Sequence, residues 1–135
     1  MADQRIEELR KVPLFSKCSD KQLQFIATQV EVMDFEKGKV LCTEGESGGD
    51  FFVILEGQAE VRKDGKVINR MSKGDFFGEI ALVDRGPRTA TVTVTAPMRS
   101  LVLGPSQFTN VLRQDADIAV SVLLGLGSRL RGLLH

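Results

Sequence analysis

The spacing of apolar positions changes twice along this chain. From residue 2 to residue 30 they recur at helical spacing. Arg5-Ile6-Glu7-Glu8-Leu9-Arg10 is a short amphipathic start, and Pro13 interrupts it. Ser19-Asp20 caps a second helix, in which Leu23, Ile26, Ala27 and Val30 share a face. Leu14 and Phe15 are expected to pin the connector between these helices onto the core.

From Glu31 to Leu103 the pattern becomes one of short apolar stretches between glycines. Val30, Val32 and Phe35 alternate, Gly38 turns the chain, and Val40-Leu41-Cys42 follows. Gly45-Glu46-Ser47-Gly48-Gly49-Asp50 reads as a plain loop. Phe51-Phe52-Val53-Ile54-Leu55 reads as a buried strand by its β-branched and aromatic content. Glu56-Gly57 is read as a reversal, after which Ala59 and Val61 alternate with Glu60 and Arg62. Asp64-Gly65 is a strong hairpin signal ahead of Val67-Ile68. Ser72-Lys73-Gly74-Asp75 turns into Phe76-Phe77, and Val92-Thr93-Val94-Thr95 and Leu101-Val102-Leu103 complete the set. Seven or eight short strands at this spacing predict a β-barrel or jelly roll.

Beyond Leu103 the helical period returns. Gly104-Pro105 starts a helix with Phe108, Val111 and Leu112 on one face, and Asp115 or Asp117 starts a last one running to about Leu134. On that helix Leu126, Arg129, Leu130 and Leu133 are expected on one side. Its Ile118–Leu126 run is apolar on more than one face, which fits core packing or a dimer contact. Gly125 and Gly127 each lower helix propensity by about 1 kcal/mol relative to Ala, so the segment reads as soft.

Composition narrows the chemistry. The 135 residues suffice for one domain with a real core. Eighteen basic residues balance 18 acidic ones, unlike a general nucleic-acid binder. The single histidine is the terminal His135, which excludes multi-histidine metal sites and argues against Ser-His or Cys-His catalysis. Cys18 and Cys42 have no metal-ligand spacing and, with no signal peptide read at the start, suggest reduced thiols in a cytoplasmic protein. The longest apolar run is too short to insert into a membrane.

The stretch Phe77-Gly78-Glu79-Ile80-Ala81-Leu82 through Gly86-Pro87-Arg88-Thr89-Ala90-Thr91-Val92 is the one that carries chemistry. Gly78 allows backbone to approach a ligand closely. Glu79-Ile80-Ala81-Leu82 is a helical turn whose free N–H groups favour an anion. Arg88, just after the Gly86-Pro87 turn, offers a planar fork suited to two phosphodiester oxygens, and Thr89 adds a hydroxyl. A carboxylate beside an anion site needs another task, and Glu79 can accept from a ribose hydroxyl. One arginine without a neighbouring lysine, and no GxxxxGK[ST], points to a singly charged phosphate. Against these readings stand plainer ones. Arg88 could pair with Asp84 or Glu79, and Glu79 could serve only the helix dipole. Thr89 could merely start a strand, and Val61 and Met71 could be ordinary core.

At these residues the chain resembles the phosphate-binding cassette of the cyclic nucleotide-binding domain family. That family includes regulatory subunits of cyclic-nucleotide-dependent kinases, cyclic-nucleotide-gated channels and catabolite-activator-like regulators. The resemblance covers nearly the whole chain. It implies an α+β, mainly β fold: an eight-stranded antiparallel jelly-roll barrel (31–103) with N-terminal helices (2–30), a short cassette helix and two C-terminal helices (105–134), all in a single domain over 1–135. It implies cAMP or cGMP as ligand, no cofactor, no metal and no catalytic residue. Arg88 would hold the cyclic phosphate with the N–H of Ala81 and of Thr89 or Ala90. Glu79, with Gly78, would hold the ribose 2′-hydroxyl, and Ile80 lies in the same turn. Val61 and Met71 would flank the base, and Thr89 would reach it. Arg129 and Leu133 on the last helix would form a lid. A homodimer or an effector protein could use that helix. The alternative is an interaction module of the same fold that needs no nucleotide. A cupin-like enzyme lacks its metal ligands here. The sequence fits a free-standing domain or a piece of a larger regulated protein.

Overall fold

The computed structural model describes residues 4–84 and 86–133. They fall into two compact units, Glu31–Pro105 and a second made of residues 4–30 together with 106–133.

The β unit is a six-stranded antiparallel sheet. Its strands are β1 (Glu31–Phe35), β2 (Val40–Cys42), β3 (Phe51–Lys63), β4 (Lys66–Met71), β5 (Phe76–Phe77) and β6 (Thr91–Leu103). The main path runs β1-β6-β3-β4, with β2 also paired to β6 and β5 to β3. The sequence led us to expect seven or eight short strands. The count falls to six because two pairs of expected strands are continuous: β3 and β6 are each 13 residues long.

Gly57 accounts for the first merger. It does not reverse the chain after Glu56; it sits inside β3 with φ of 101°, among the register shifts between Ile54 and Ala59. A bulge of this kind bends a strand and lets it continue. A Cβ at Gly57 would run into the backbone of Pro97 and Met98 on β6, so the two long strands approach closely only because the side chain is absent. Asp64-Gly65 does form the expected hairpin, with Lys63 opposite Lys66. Val32 does not face inward as its alternation suggested; it is half exposed on β1, while Val30 is buried.

The β core gathers Cys42, Phe52, Ile54, Ala59, Met71, Val92, Val94 and Met98, with Phe35, Leu41, Val61, Phe77 and Val102 packed against it. Phe52 stacks on Phe77 with ring centroids 4.7 Å apart, which fixes β5 and so the entry to the short helix α3 (Glu79–Asp84).

The helical unit contains α1 (Gln4–Arg10), a 3-10 turn at Pro13–Phe15, α2 (Asp20–Ala27), most of α4 (Pro105–Gln114) and α5 (Ala116–Leu133). Ser19 caps α2 in a reciprocal capping box with Gln22. Asp115 caps α5, its Oδ1 accepting from the N–H groups of Asp117 and Ile118. Leu14 and Phe15 are buried as expected. Gly125 lies where α5 meets the 3-10 turn: a Cβ there would stand 2.7 Å from the carbonyl oxygen of Leu14. α5 is unbroken over its 18 residues, so Gly125 provides a close contact rather than a soft point.

Candidate functional site

The stretch 77–92 is held by backbone on both sides. β5 pairs with β3 through Phe52 and Phe77 before the cassette, and β6 begins at Thr91 after it. Between them lies α3, six residues long, whose first turn closes with the Leu82 N–H donating to Gly78 O at 3.2 Å. Gly78 has φ of 89°, in the left-handed region. An added Cβ there would stand 2.5 Å from Asp50 O and 3.0 Å from Arg88 Nη1. Glycine at this position therefore permits both the turn into α3 and the approach of the arginine.

Arg88 is 8% exposed, unusually buried for a guanidinium. Its backbone is fixed by the loop ahead of β3: Arg88 N–H donates to Glu46 O at 2.9 Å, and Gly45 N–H donates to Arg88 O at 2.8 Å. The same loop fixes the side chain, whose Nη2 donates to Asp50 O at 2.8 Å. Gly48 passes so close that a Cβ would lie 3.0 Å from Arg88 Nε. Nη1 is buried and has no hydrogen-bond partner among the described residues. No ion pair of Arg88 occurs among them, which removes the plain reading of a pair with Glu79. The Asp84 side chain lies outside the described residues. A buried cation with one nitrogen tied to a neutral carbonyl and another unpartnered is arranged to receive an anion.

Glu79 opens α3 and is buried at 6% exposure. Gly78 lies against Arg88, and Glu79 follows Gly78 in the chain. Ile80 and Ala81 belong to α3, but their side chains lie outside the described residues. Thr89 is exposed and Ala90 half-buried. Val61 is half-buried and pairs with Val92 of β6, while Met71, opposite Ala59, belongs to the core. Leu133 is 74% exposed at the end of α5. Arg129 lies in α5, and its side chain is outside the described residues.

Electrostatics extends from the cassette to β2. Burial pushes the Cys42 thiol above its ordinary range; the Arg88 charge pulls it down and Asp50 pushes it up. Glu44 follows β2 and ties it to the start of β6 and to the Asp64 turn. Its N–H donates to Thr91 Oγ1 at 3.0 Å, and its carboxylate accepts from the Asp64 N–H at 3.1 Å.

The segment 45–50 is what sequence reading missed. Taken as a plain loop, it instead supplies the hydrogen-bond partners of Arg88 among the described residues, Gly45, Glu46 and Asp50. The available signal was the Gly48-Gly49 pair, two adjacent residues without side chains in front of a strand, as a close approach requires.

The family model for the cyclic nucleotide-binding domain matches residues 32–115. The chain belongs to the cyclic nucleotide-binding domain family. Among its relatives, the cAMP-dependent protein kinase regulatory subunit of Mycosarcoma maydis is 37% identical over 119 residues, covering 82% of this chain and 23% of that protein. The corresponding subunit of Debaryomyces hansenii is 37% identical over 114 residues, covering 84% and 25%. The chain therefore spans about a quarter of the length of these relatives. Among solved structures, the N-terminal domain of a transcriptional regulator from Streptomyces coelicolor A3(2) superposes with a TM-score of 0.85 at 28% identity, covering 93% of this chain and 94% of that one. The regulatory domain of Toxoplasma gondii PKA, crystallised with cAMP, gives a TM-score of 0.74 at 29% identity, covering 80% and 43%.

Proposed function

We propose that this cyclic nucleotide-binding domain takes cAMP and places the cyclic phosphate on Arg88. The observation that carries this reading is the buried, unpartnered Nη1 of an arginine otherwise anchored by Asp50 O. A cyclic phosphodiester carries one charge, and a guanidinium fork is its natural match. The backbone N–H of Ala81 and that of Thr89 or Ala90 complete the phosphate site. Glu79, with Gly78 and Ile80 alongside, takes the ribose 2′-hydroxyl. Val61 and Met71 flank the base.

The choice of cAMP over cGMP rests on relatives named as cAMP-dependent regulatory subunits and on the cAMP in the Toxoplasma gondii structure. An exposed Thr89 hydroxyl supports cGMP as the second reading, since it is free to meet a guanine. The jelly-roll winding of the sheet and the lid role of α5, with Arg129 and Leu133 toward the base, belong to this proposal and are carried by the family resemblance alone. Ligand would act by shifting the population of lid positions toward the closed one. A kinase catalytic subunit is the partner that the relatives suggest, in a cytoplasmic setting.

Competitive calorimetry with cAMP, cGMP and 5′-AMP tests this reading. cAMP is expected to bind more tightly than cGMP, and both more tightly than 5′-AMP, whose extra charge and open ring fit the single arginine less well. Equal binding of 5′-AMP would show that Arg88 does not read a cyclic phosphate.

A further inference from the structure

The first strand of the sheet has an open edge. Among the described residues β1 pairs with β6 alone, and no backbone hydrogen bond leaves it on the other side. In an antiparallel strand every second residue turns its N–H and C=O outward, so this edge offers unused donors and acceptors. The strand is also uncovered. Glu31, Val32, Met33 and Asp34 are all exposed, Val32 by 50% and Met33 by 40%. β4, at the other end of the main path, is guarded as edges usually are: it carries Lys66 and Arg70, and its pairing shifts register beside Arg62. β1 has neither guard. Its five residues pair in unbroken register with residues 98–102.

At the end of this strand lies a cleft of about 560 Å³, formed within the β unit by 34–37, by Glu56 of β3 and by 97–99 of β6. None of these residues belongs to the stretch 77–92, so the cleft is separate from the nucleotide reading. Asp34, Arg99 and Glu56 stand opposite one another across three strands and share a face. Arg99 Nε donates to Asp34 Oδ1 at 3.0 Å. Glu36 and Lys37 also line the cleft, so three carboxylates face two cations and one negative charge is left over. The carboxylates of Glu36 and Glu56 have no hydrogen bond among the described residues.

We propose that β1 accepts an added strand: an extended peptide of another protein, with a basic residue beside Asp34 and apolar residues beside Met33 and Val32. Main-chain hydrogen bonds along the open edge hold such a peptide, and its side chains give the selection. The basic side chain brings to the cleft the charge it lacks, and the apolar ones cover Val32 and Met33. A second copy of β1 does not fit. Paired antiparallel with itself about Met33, the strand would set Val32 against Asp34 and bring no cation to the cleft. Two edges that each carry Glu31 and Asp34 would also repel.

Chemical-shift mapping by NMR on the isotope-labelled chain tests the proposal. The probes are short capped peptides that present Arg-Val-Val, Val-Val-Arg or Glu-Val-Val in a Thr-Ser frame; the two arginine orders cover antiparallel and parallel addition. One arginine order is expected to shift the amides of 31–37, 56, 98 and 99 and to leave those of 78–92 in place, with a Kd on the order of 1 mM. Glu-Val-Val should bind at least about tenfold more weakly. Asp34→Lys, at an exposed side chain, should keep the fold and the response to cAMP, lose the arginine peptide and gain Glu-Val-Val. Glu36→Lys, in the turn after β1, should weaken the arginine peptide without touching the sheet. No shift at 31–37 with any peptide in millimolar excess overturns the proposal. Equal binding of the arginine and glutamate peptides, or binding indifferent to both substitutions, overturns it as well.

Discussion

Arg88 Nη2 donates to the carbonyl oxygen of Asp50 at 2.8 Å, across 38 residues of sequence. Its other terminal nitrogen, Nη1, is buried without a described partner. The arginine is therefore aimed before any ligand arrives, and its rotamer entropy is already spent within the fold. What a ligand adds is the missing acceptor. The binding energetics should then depend on the fork geometry more than on the charge alone.

Arg88→Lys keeps the charge and loses the fork. A lysine cannot hold Asp50 O and an anion with two fixed nitrogens. The expected loss of cyclic-nucleotide affinity is about 2–3 kcal/mol, on the order of 100-fold, measured by calorimetry. Unchanged affinity would place the phosphate elsewhere.

Gly48→Ala and Gly78→Ala separate aim from fold. Gly48 needs no unusual backbone angle, so its new methyl presses chiefly on Arg88 Nε. Affinity should fall about tenfold, roughly 1.4 kcal/mol, with little change in melting temperature. Gly78 sits at φ 89° with Asp50 O in the way, so Ala there should lose both affinity and about 1–3 kcal/mol of stability. Equal stability effects at both positions would contradict this division.

Two glycines of α5 should respond with opposite sign in thermal melts of dilute protein. Gly127→Ala meets open space and should stabilise by about 0.5–1 kcal/mol through helix propensity. Gly125→Ala gains the same propensity but collides with the backbone of Leu14 and Pro13, so it should destabilise. Stabilisation by both would mean that α5 does not rest on the 3-10 turn.

Burial pushes the Cys18 thiol up to about 11 from an ordinary 9.0. The folded state thus favours the protonated thiol, and the unfolded chain ionises first as pH rises. The stability tied to this group is complete below pH 9 and is lost between about 9 and 11. Denaturant titrations across that window should show a steeper decline for the parent than for Cys18→Ser. Parallel declines would mean that the thiol is as solvated in the fold as outside it.

Local chemistry made much of this legible in advance. The cap at Ser19-Asp20, the Asp64-Gly65 hairpin and the Gly104-Pro105 helix start are all written in adjacent residues. Gly78, Glu79 and Arg88 could be grouped because their residue types make sense only together. The misreadings share a different cause. Glu56-Gly57 looks the same whether it reverses a chain or bulges a long strand, and only the approach of Pro97 and Met98 decides. The loop 45–50 grips Arg88 through main-chain carbonyls and an N–H group, so side-chain identity carries almost no trace of it. Gly125 reads as a weakness until the carbonyl of Leu14 is seen beside it.

The central claim is that Arg88, held by Asp50 O, receives a cyclic phosphate. Calorimetric titration of the parent chain and of Arg88→Lys with cAMP, alongside circular dichroism to establish that both are folded, tests it most directly. One-site binding by the parent and a loss on the order of 100-fold in the variant are expected. No heat from the folded parent at millimolar cAMP or cGMP, or a variant that binds like the parent, would contradict it.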